Sequence, residues 1–478
     1  MLTTSPLEPA DLPMAGAENV VEGGGPGGIL SRVFETLDRA GIPYCVLHGY
    51  ESYPRQIKSD VDCVIDPQTT AAEIHALLHH NSARIGAEIV RCRRYHIVLA
   101  GKNADGSRCF LTLDLSVDCA FDDMRFYAGT EVLASRRRHR QFWIPAAHVE
   151  FGCYLARTIA KGCLDDARGR RLSTLYWQDA AGCAPQVGRF WAPATAEVII
   201  SAAISGDWQP VRRRLSSLQG ELRRRVLPRW RLAVNKFSGL ATRLMRVWRP
   251  DGLNVVLLGP DGAGKSSVID ALSPSLAGAF ARSTCRGFAP PLHRLFRRSR
   301  HPTDQPHALP ARSLLISLLR AGYWFAYATL GYGSLRLALA RSTLVLNDRH
   351  LIDILVDPKR YRYGGPVWLM WAIWRLSPKP DLIILLDAPP EVLQARKQEV
   401  SFEESARQRR AYLSLVRSMR NGHVVDAARP LQHVTRDVSD IILRHLTMRI
   451  ARNLLSSDAA GESVPQDRPA RADLLKSR

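Results

Sequence analysis

Residues 259–267 read Gly-Pro-Asp-Gly-Ala-Gly-Lys-Ser-Ser. They fit the phosphate-loop spacing G-x-x-x-x-G-K-[ST], from Gly259 through Gly264, Lys265 and Ser266. Glycines let backbone N–H groups turn inward around a polyphosphate, where side chains would collide. A helix opening near Lys265 aims the positive end of its dipole at the same anion. The expected cradle therefore comprises Gly259, Asp261, Gly262, Ala263, Gly264, Lys265, Ser266 and Ser267. In it Lys265 reaches the β- and γ-oxygens of the polyphosphate and Ser266 offers its hydroxyl oxygen to Mg²⁺.

Two more segments carry groups suited to the same chemistry. Ser342-Thr-Leu-Val-Leu-Asn347 runs into Asp348-Arg349-His350, and Asp381-Leu-Ile-Ile-Leu-Leu386 runs into Asp387-Ala-Pro-Pro-Glu391. Ligands of parallel sheets lie beyond the carboxyl ends of the strands, which brings Asp348, Arg349 and Asp387 toward the phosphates. A carboxylate there can hold Mg²⁺ or take a proton from an attacking hydroxyl. An arginine can grip an acceptor phosphate or neutralise the transferring group.

A separate carboxylate set lies near the start. Asp60-Val61-Asp62 follows Tyr44-Cys-Val-Leu-His48 and Gly49-Tyr50, and Phe110-Leu-Thr-Leu-Asp114 supplies a third acid. Period-two spacing puts Asp60 and Asp62 on one strand face. With Asp114 on a neighbouring strand, the three are candidates to hold two Mg²⁺ ions around a nucleoside triphosphate.

The elements that must position these groups fall into stretches. Residues 1–28, rich in Gly, Pro and Ala, read as disordered. Residues 29–150 alternate strand and helix patterns, and 151–250 read as a helical, basic connector. Residues 251–455 return to strand–helix alternation, and 456–478 read as a loose tail. The expected fold class is α/β, with a parallel sheet around the phosphate loop. Pro-, Arg- and His-rich residues 287–312 read as an insertion. The 15 uncharged residues 321–335 are short for a membrane span, so a buried helix is expected. Trp368, Trp371 and Trp374 recur every three residues and read as core or interface packing.

The chain has 478 residues, enough for several domains, and a formal net charge of +21. Residues 211–250 hold twelve Arg or Lys and a single Glu, a surplus of eleven positive charges. Leu215, Leu218, Leu222 and Val226 make one helical face there. Trp230, Val234, Phe237, Ala241, Leu244 and Trp248 make another. A packed connector, an anionic membrane surface and nucleic acid are the three readings of this stretch. Nine cysteines without C-x-x-C spacing suggest reduced thiols rather than a disulfide framework. The start lacks the basic and apolar segments of a signal peptide, which points to a cytoplasmic setting.

Gly259–Ser266, Asp348-Arg349 and Leu386-Asp-Ala-Pro-Pro-Glu391, in that order, resemble the thymidylate kinase pattern over about 200 residues. The resemblance implies ATP and Mg²⁺ as cofactors, with Lys265, Asp348, Arg349 and Arg396 as catalytic residues. It turns Asp261 toward a substrate hydroxyl and Arg349 toward the acceptor's phosphate. Arg396 would start a lid over the donor, with Lys397, Arg409 and Arg410 adding charge. The family's Arg-Glu-Pro motif is missing; Cys285-Arg-Gly-Phe-Ala-Pro290 is the nearest segment. Leu351–Pro366 also departs from the family's nucleotide-reading helix. Its Asp357-Pro-Lys-Arg-Tyr-Arg-Tyr-Gly-Gly-Pro366 run resembles a branch associated with bacterial surface-polysaccharide synthesis. The implied acceptor is thus a nucleotide, a sugar or a sugar phosphate, with Lys359, Arg360 and Arg362 nearby.

Residues 29–150 resemble the nucleotidyltransferase fold, which implies metal ligation by Asp60, Asp62 and Asp114. Tyr50 stands where that family usually has Ser or Gly. The leading expectation is an ATP-dependent small-molecule kinase joined to a nucleotidyltransferase-like domain. A nucleic-acid end-processing enzyme and a non-catalytic nucleotide-binding module at a membrane surface are the alternatives. Oligomeric state is open.

Overall fold

The computed structural model describes residues 24–122, 124–226, 247–287, 310–397 and 400–459. The first helix, α1 (Pro26–Arg39), begins inside the stretch read as disordered. Pro26 presets the first helical φ. Glycine is needed beside it, because a Cβ on Gly27 would lie 2.0 Å from the carbonyl oxygen of Pro54. Residues 1–23 lie outside the described residues.

Five strands form the first sheet: β1 (Tyr44–Val46), β2 (Val61–Ile65), β3 (Ala87–Arg93), β4 (His96–Lys102) and β5 (Arg108–Ser116). Their order is β1-β2-β5-β4-β3. β2 and β5 run parallel, while β1 and β4 run antiparallel to their neighbours. The helices α2 (Ala71–His80) and α3 (Ser82–Ile85) join β2 to β3. Thr70 and Glu73 close a capping box at the start of α2. Two hairpins follow the sheet: β6 (Asp118–Phe121) with β7 (Met124–Ala128), then β8 (Arg137–His139) with β9 (Phe142–Ile144). The helix α4 (Gly129–Ala134) lies between them.

A helical group comes next: α5 (Ala147–Lys161), α6 (Asp166–Gln178), α7 (Ala180–Phe190), α8 (Pro193–Ser205), α9 (Gln209–Arg213) and α10 (Leu215–Val226). These helices share one core with Cys45, Leu47 and Val64 of the first sheet. Through α5 and α10 they also pack on the β6–β7 hairpin. Leu218 and Leu222 are buried in this core, with Leu215 and Val226 against it. The second basic face, from Trp230 to Leu244, lies outside the described residues.

Strands β10 (Leu253–Leu258), β11 (Arg282–Arg286), β12 (Thr343–Asn347), β13 (Leu382–Asp387) and β14 (Gly422–Asp426) build the second sheet. All are parallel, in the order β11-β12-β10-β13-β14. Val255 and Leu257 feed one core and Val256 and Leu258 another, so both faces are covered. That accounts for the unbroken apolar runs in the sequence. Around the sheet lie α11 (Lys265–Ser275), α12 (Leu314–Ala340), α13 (Leu351–Val356), α14 (Val367–Leu376), α15 (Pro390–Arg396), α16 (Phe402–Arg417) and α17 (Leu431–Ala459). The last helix extends past residue 456, into the stretch read as tail. Most of the 287–312 insertion, residues 288–309, lies outside the described residues.

The buried helix expected at 321–335 is instead the middle of α12, a 27-residue helix. Ala321 and Trp324 are buried, but Leu315, Leu319 and Leu330 are exposed. Its neighbours cover only one stripe of an almost wholly apolar surface. The same holds for α14, where Trp374 is buried while Trp368 and Trp371 are exposed. Among the described residues no helix is long and apolar enough to cross a membrane.

The two sheets are tied together by a common core. On β4, Ile97 and Leu99 face the core under α1, whereas Val98 and Ala100 join Leu253, Val255 and Leu257. Arg93 pairs with Asp251 just before β10, and Arg449 of α17 donates to the carbonyls of Asp251 and Gly252. Arg108 pairs with Asp440.

Candidate functional site

The loop after β10 has the backbone its glycines predict. Gly259, Gly262 and Gly264 take φ values of 151°, 85° and 87°. A Cβ on Gly259 would approach the Leu386 oxygen to 2.8 Å, and one on Gly262 would approach the Leu393 oxygen to 3.0 Å. Gly264 caps α11 without any side-chain bond, which leaves the helix N-terminus facing the loop. Lys265 is buried, and its Nζ donates to the carbonyls of Gly259 (2.7 Å) and Pro260 (3.0 Å). Ser266 and Ser267 are exposed.

Parallel register puts the ends of β12 and β13 beside this loop. Asp348 follows β12, and its Oδ1 is buried with no hydrogen-bond partner among the described residues. Arg349 reaches back to the loop, donating from Nη2 to Asp261 Oδ1 at 3.0 Å. Arg360 pairs with the other oxygen of Asp261. Two guanidiniums thus hold Asp261, and the Lys265 ammonium lies 3.9 Å from it.

Under these arginines lies a polar cluster. Asp353 is buried on α13, where it accepts from Tyr412 Oη (2.7 Å) and from the His350 amide (2.8 Å). Burial raises its carboxyl above the usual range, against the opposing Tyr412 hydrogen bond. Gln408 donates to Asp357 at 3.0 Å. These groups, with Gly259, Asp261 and Arg349, enclose only about 10 Å³. Asp353, Gln408 and Tyr412 escaped the sequence reading. The available signal was an acid inside the apolar run Leu351-Ile-Asp-Ile-Leu-Val356, which a solvated helix does not need. Arg360, read beside Lys359 and Arg362 as a candidate for anionic substrate, turns onto Asp261.

Other predicted groups have different partners from those expected. Arg396 donates to the Ala427 carbonyl at 2.9 Å, so its guanidinium is turned toward the end of β14. Its Cβ still lies close to Gly262. Arg409, expected as lid charge, forms two hydrogen bonds with Asp387 at 2.7 and 2.9 Å.

In the first sheet, Asp62 and Asp114 are register partners on β2 and β5. Asp60 precedes β2 and is exposed. Asp62 accepts from Arg157 at 3.0 Å and lies 3.6 Å from His48. Desolvation, then the charge of Asp62, raises the Asp114 carboxyl, although its side chain still meets solvent. Among the described residues no group of three or more His, Cys, Asp or Glu could hold a metal ion. Arg157 supplies a positive charge at Asp62, and no step is derived through a metal there. Tyr50 does not crowd the Gly49 turn: it is buried, and its hydroxyl donates to Glu150 at 2.6 Å.

A glycine loop between parallel strands, with acid and arginine at the next strand end, is consistent with an α/β fold of the P-loop kinase kind. The comparisons agree. Thymidylate kinase of Haemophilus ducreyi is 27% identical over 222 residues, covering 42% of this chain and 99% of that enzyme. Thymidylate kinase of Xanthomonas campestris pv. campestris is 26% identical over 246 residues, covering 46% of the chain and 97% of the enzyme. That of Xanthomonas oryzae pv. oryzae is also 26% identical over 246 residues. No family model matches the chain. These similarities support a thymidylate-kinase-like domain over somewhat less than half of the chain.

Proposed function

We propose that the part built around β10 transfers the γ-phosphoryl group of ATP to a small-molecule acceptor: a nucleotide, a sugar or a sugar phosphate. The observation carrying this reading is the convergence of Lys265, Asp348 and Arg349 beyond the carboxyl ends of two adjacent interior strands of the parallel sheet. The thymidylate kinase relatives point the same way for the donor.

The open N-terminus of α11 and the glycine backbone bind the phosphate chain. Lys265 exchanges its bonds to Gly259 and Pro260 for phosphate oxygens. The fit of Mg²⁺ rests on Asp348, whose buried Oδ1 has no other hydrogen-bond partner among the described residues, and on the exposed Ser266. Held by these two residues, Mg²⁺ would supply neutralisation of the charge on the transferring group. Asp348 also stands ready to accept the acceptor's hydroxyl proton. Arg349 and Arg360, now on Asp261, are the groups that an acceptor phosphate would draw away. The Asp353–Tyr412 pair fixes the wall behind them.

Labelled ATP offered to separate pools of nucleoside monophosphates, sugars and sugar phosphates tests this reading. Label should enter one pool, and Asp348→Asn should strongly reduce its transfer. Label in none of the three, or transfer only to oligonucleotide ends, would overturn it.

A further inference from the structure

A second cleft, of about 720 Å³, opens on the first half of the chain. Three guanidiniums line it, those of Arg137, Arg140 and Arg171, together with Glu51, Gln178 and Asp179. Period two along β8 turns Arg137 and His139 to the cleft, while Arg138 pairs with Asp38 on the other side. Arg140 sits in the β8–β9 turn with φ 52°, a conformation that side chains rarely adopt. It spends one bond on the Tyr53 carbonyl. No carboxylate among the described residues pairs with Arg137 or Arg140.

The floor of the cleft is fixed. Glu150 is fully buried on α5 and holds both the Tyr50 hydroxyl and Arg171. Arg171 also pairs with Glu51 at 2.8 Å. Its position is thus set before any ligand arrives. Ala146 and Ala147 bring the N-terminus of α5, a 15-residue helix without a side-chain cap, to the same wall. Cations with unused hydrogen bonds beside an uncapped helix start favour an anion. Glu51 and Gln178 are instead suited to accept from or donate to hydroxyls, while Asp179 is held by His148 (2.8 Å) and the Gly182 amide (2.9 Å).

We infer that this cleft binds a phosphate joined to vicinal hydroxyls, as in a sugar phosphate or a nucleoside monophosphate. Arg137 and Arg140 take the phosphate, and the acid and amide rim takes the hydroxyls. The volume suits a ligand of that size. The site is distinct from the phosphate loop and stands whether or not the kinase reading holds.

Calorimetric titration of the full chain tests it, with α-glucose 1-phosphate, AMP and inorganic phosphate as probes. The titrations use Lys265→Ala with Arg349→Gln and Arg360→Gln, to remove the phosphate loop and the arginines assigned to its acceptor, and then the same chain with Arg137→Gln and Arg140→Gln added. The first protein should bind the glucose phosphate or AMP more tightly than inorganic phosphate. The better of the two identifies the ligand source. The added substitutions should weaken binding by at least about tenfold, the loss of two charge-assisted hydrogen bonds. Melting temperature should move by no more than the loss of the Arg140–Tyr53 hydrogen bond, since both side chains are otherwise exposed. Gln178→Ala should narrow the gap between the organic phosphate and inorganic phosphate. No binding by the first protein at millimolar probe, equal affinity for all three probes, or affinity indifferent to Arg137 and Arg140 would each overturn the assignment.

Discussion

Lys265 is bound to its own loop, and Asp348 hides one oxygen without a hydrogen-bond partner among the described residues. At this scale the motif residues were legible because their spacing is dictated by phosphate geometry. The Asp353–Tyr412 pair was not, since its partners lie 59 positions apart and meet only in the fold. The adjoining His350 gives a pH prediction. Burial, then the charge of Lys379, lowers its pKa from 6.5 to about 4. Below pH 6.5 the unfolded chain takes up a proton that the folded chain refuses. Stability is therefore fully present above that pH and is lost as pH falls toward 4. The gap corresponds to at most about 3 kcal/mol. Denaturant unfolding between pH 7 and 4.5 should show this loss in the wild type and a smaller one in His350→Gln. Parallel declines would contradict it.

At the scale of elements, β10, β12 and β13 were readable as short apolar runs because a parallel sheet buries both faces. The exposed side of α12 was not readable. Composition says that its surface is apolar, but only neighbouring elements decide which stripe is covered. The phosphate loop gives the sharpest element-level prediction. Gly262 has φ 85°, and a methyl group there would sit 3.0 Å from the Leu393 oxygen of α15. Gly262→Ala should cost about 1–2 kcal/mol. It should also abolish the thermal shift produced by an ATP analogue. Retention of that shift would remove the loop from nucleotide binding.

For the whole molecule, the shared core is what the sequence concealed. Val98 and Ala100 look like the outward half of an ordinary alternating strand. Their other face is covered by a sheet that begins at residue 253. Gly278 marks the junction, because a Cβ there would lie 2.4 Å from the Phe110 ring. With its halves packed in this way, the chain should unfold in one calorimetric transition. Gly278→Leu should lower its midpoint or split it in two. Two separate transitions in the wild type would contradict the common core.

The central claim is that Lys265 and Asp348 serve one phosphoryl transfer in different ways. Binding of a non-hydrolysable ATP analogue and transfer from labelled ATP, measured together on wild type, Lys265→Ala and Asp348→Asn, test it most directly. Lys265→Ala should lose both. Asp348→Asn should keep binding within about tenfold while transfer falls by about 100-fold or more. Transfer by Asp348→Asn at the wild-type rate, or analogue binding unchanged in Lys265→Ala, would contradict the account.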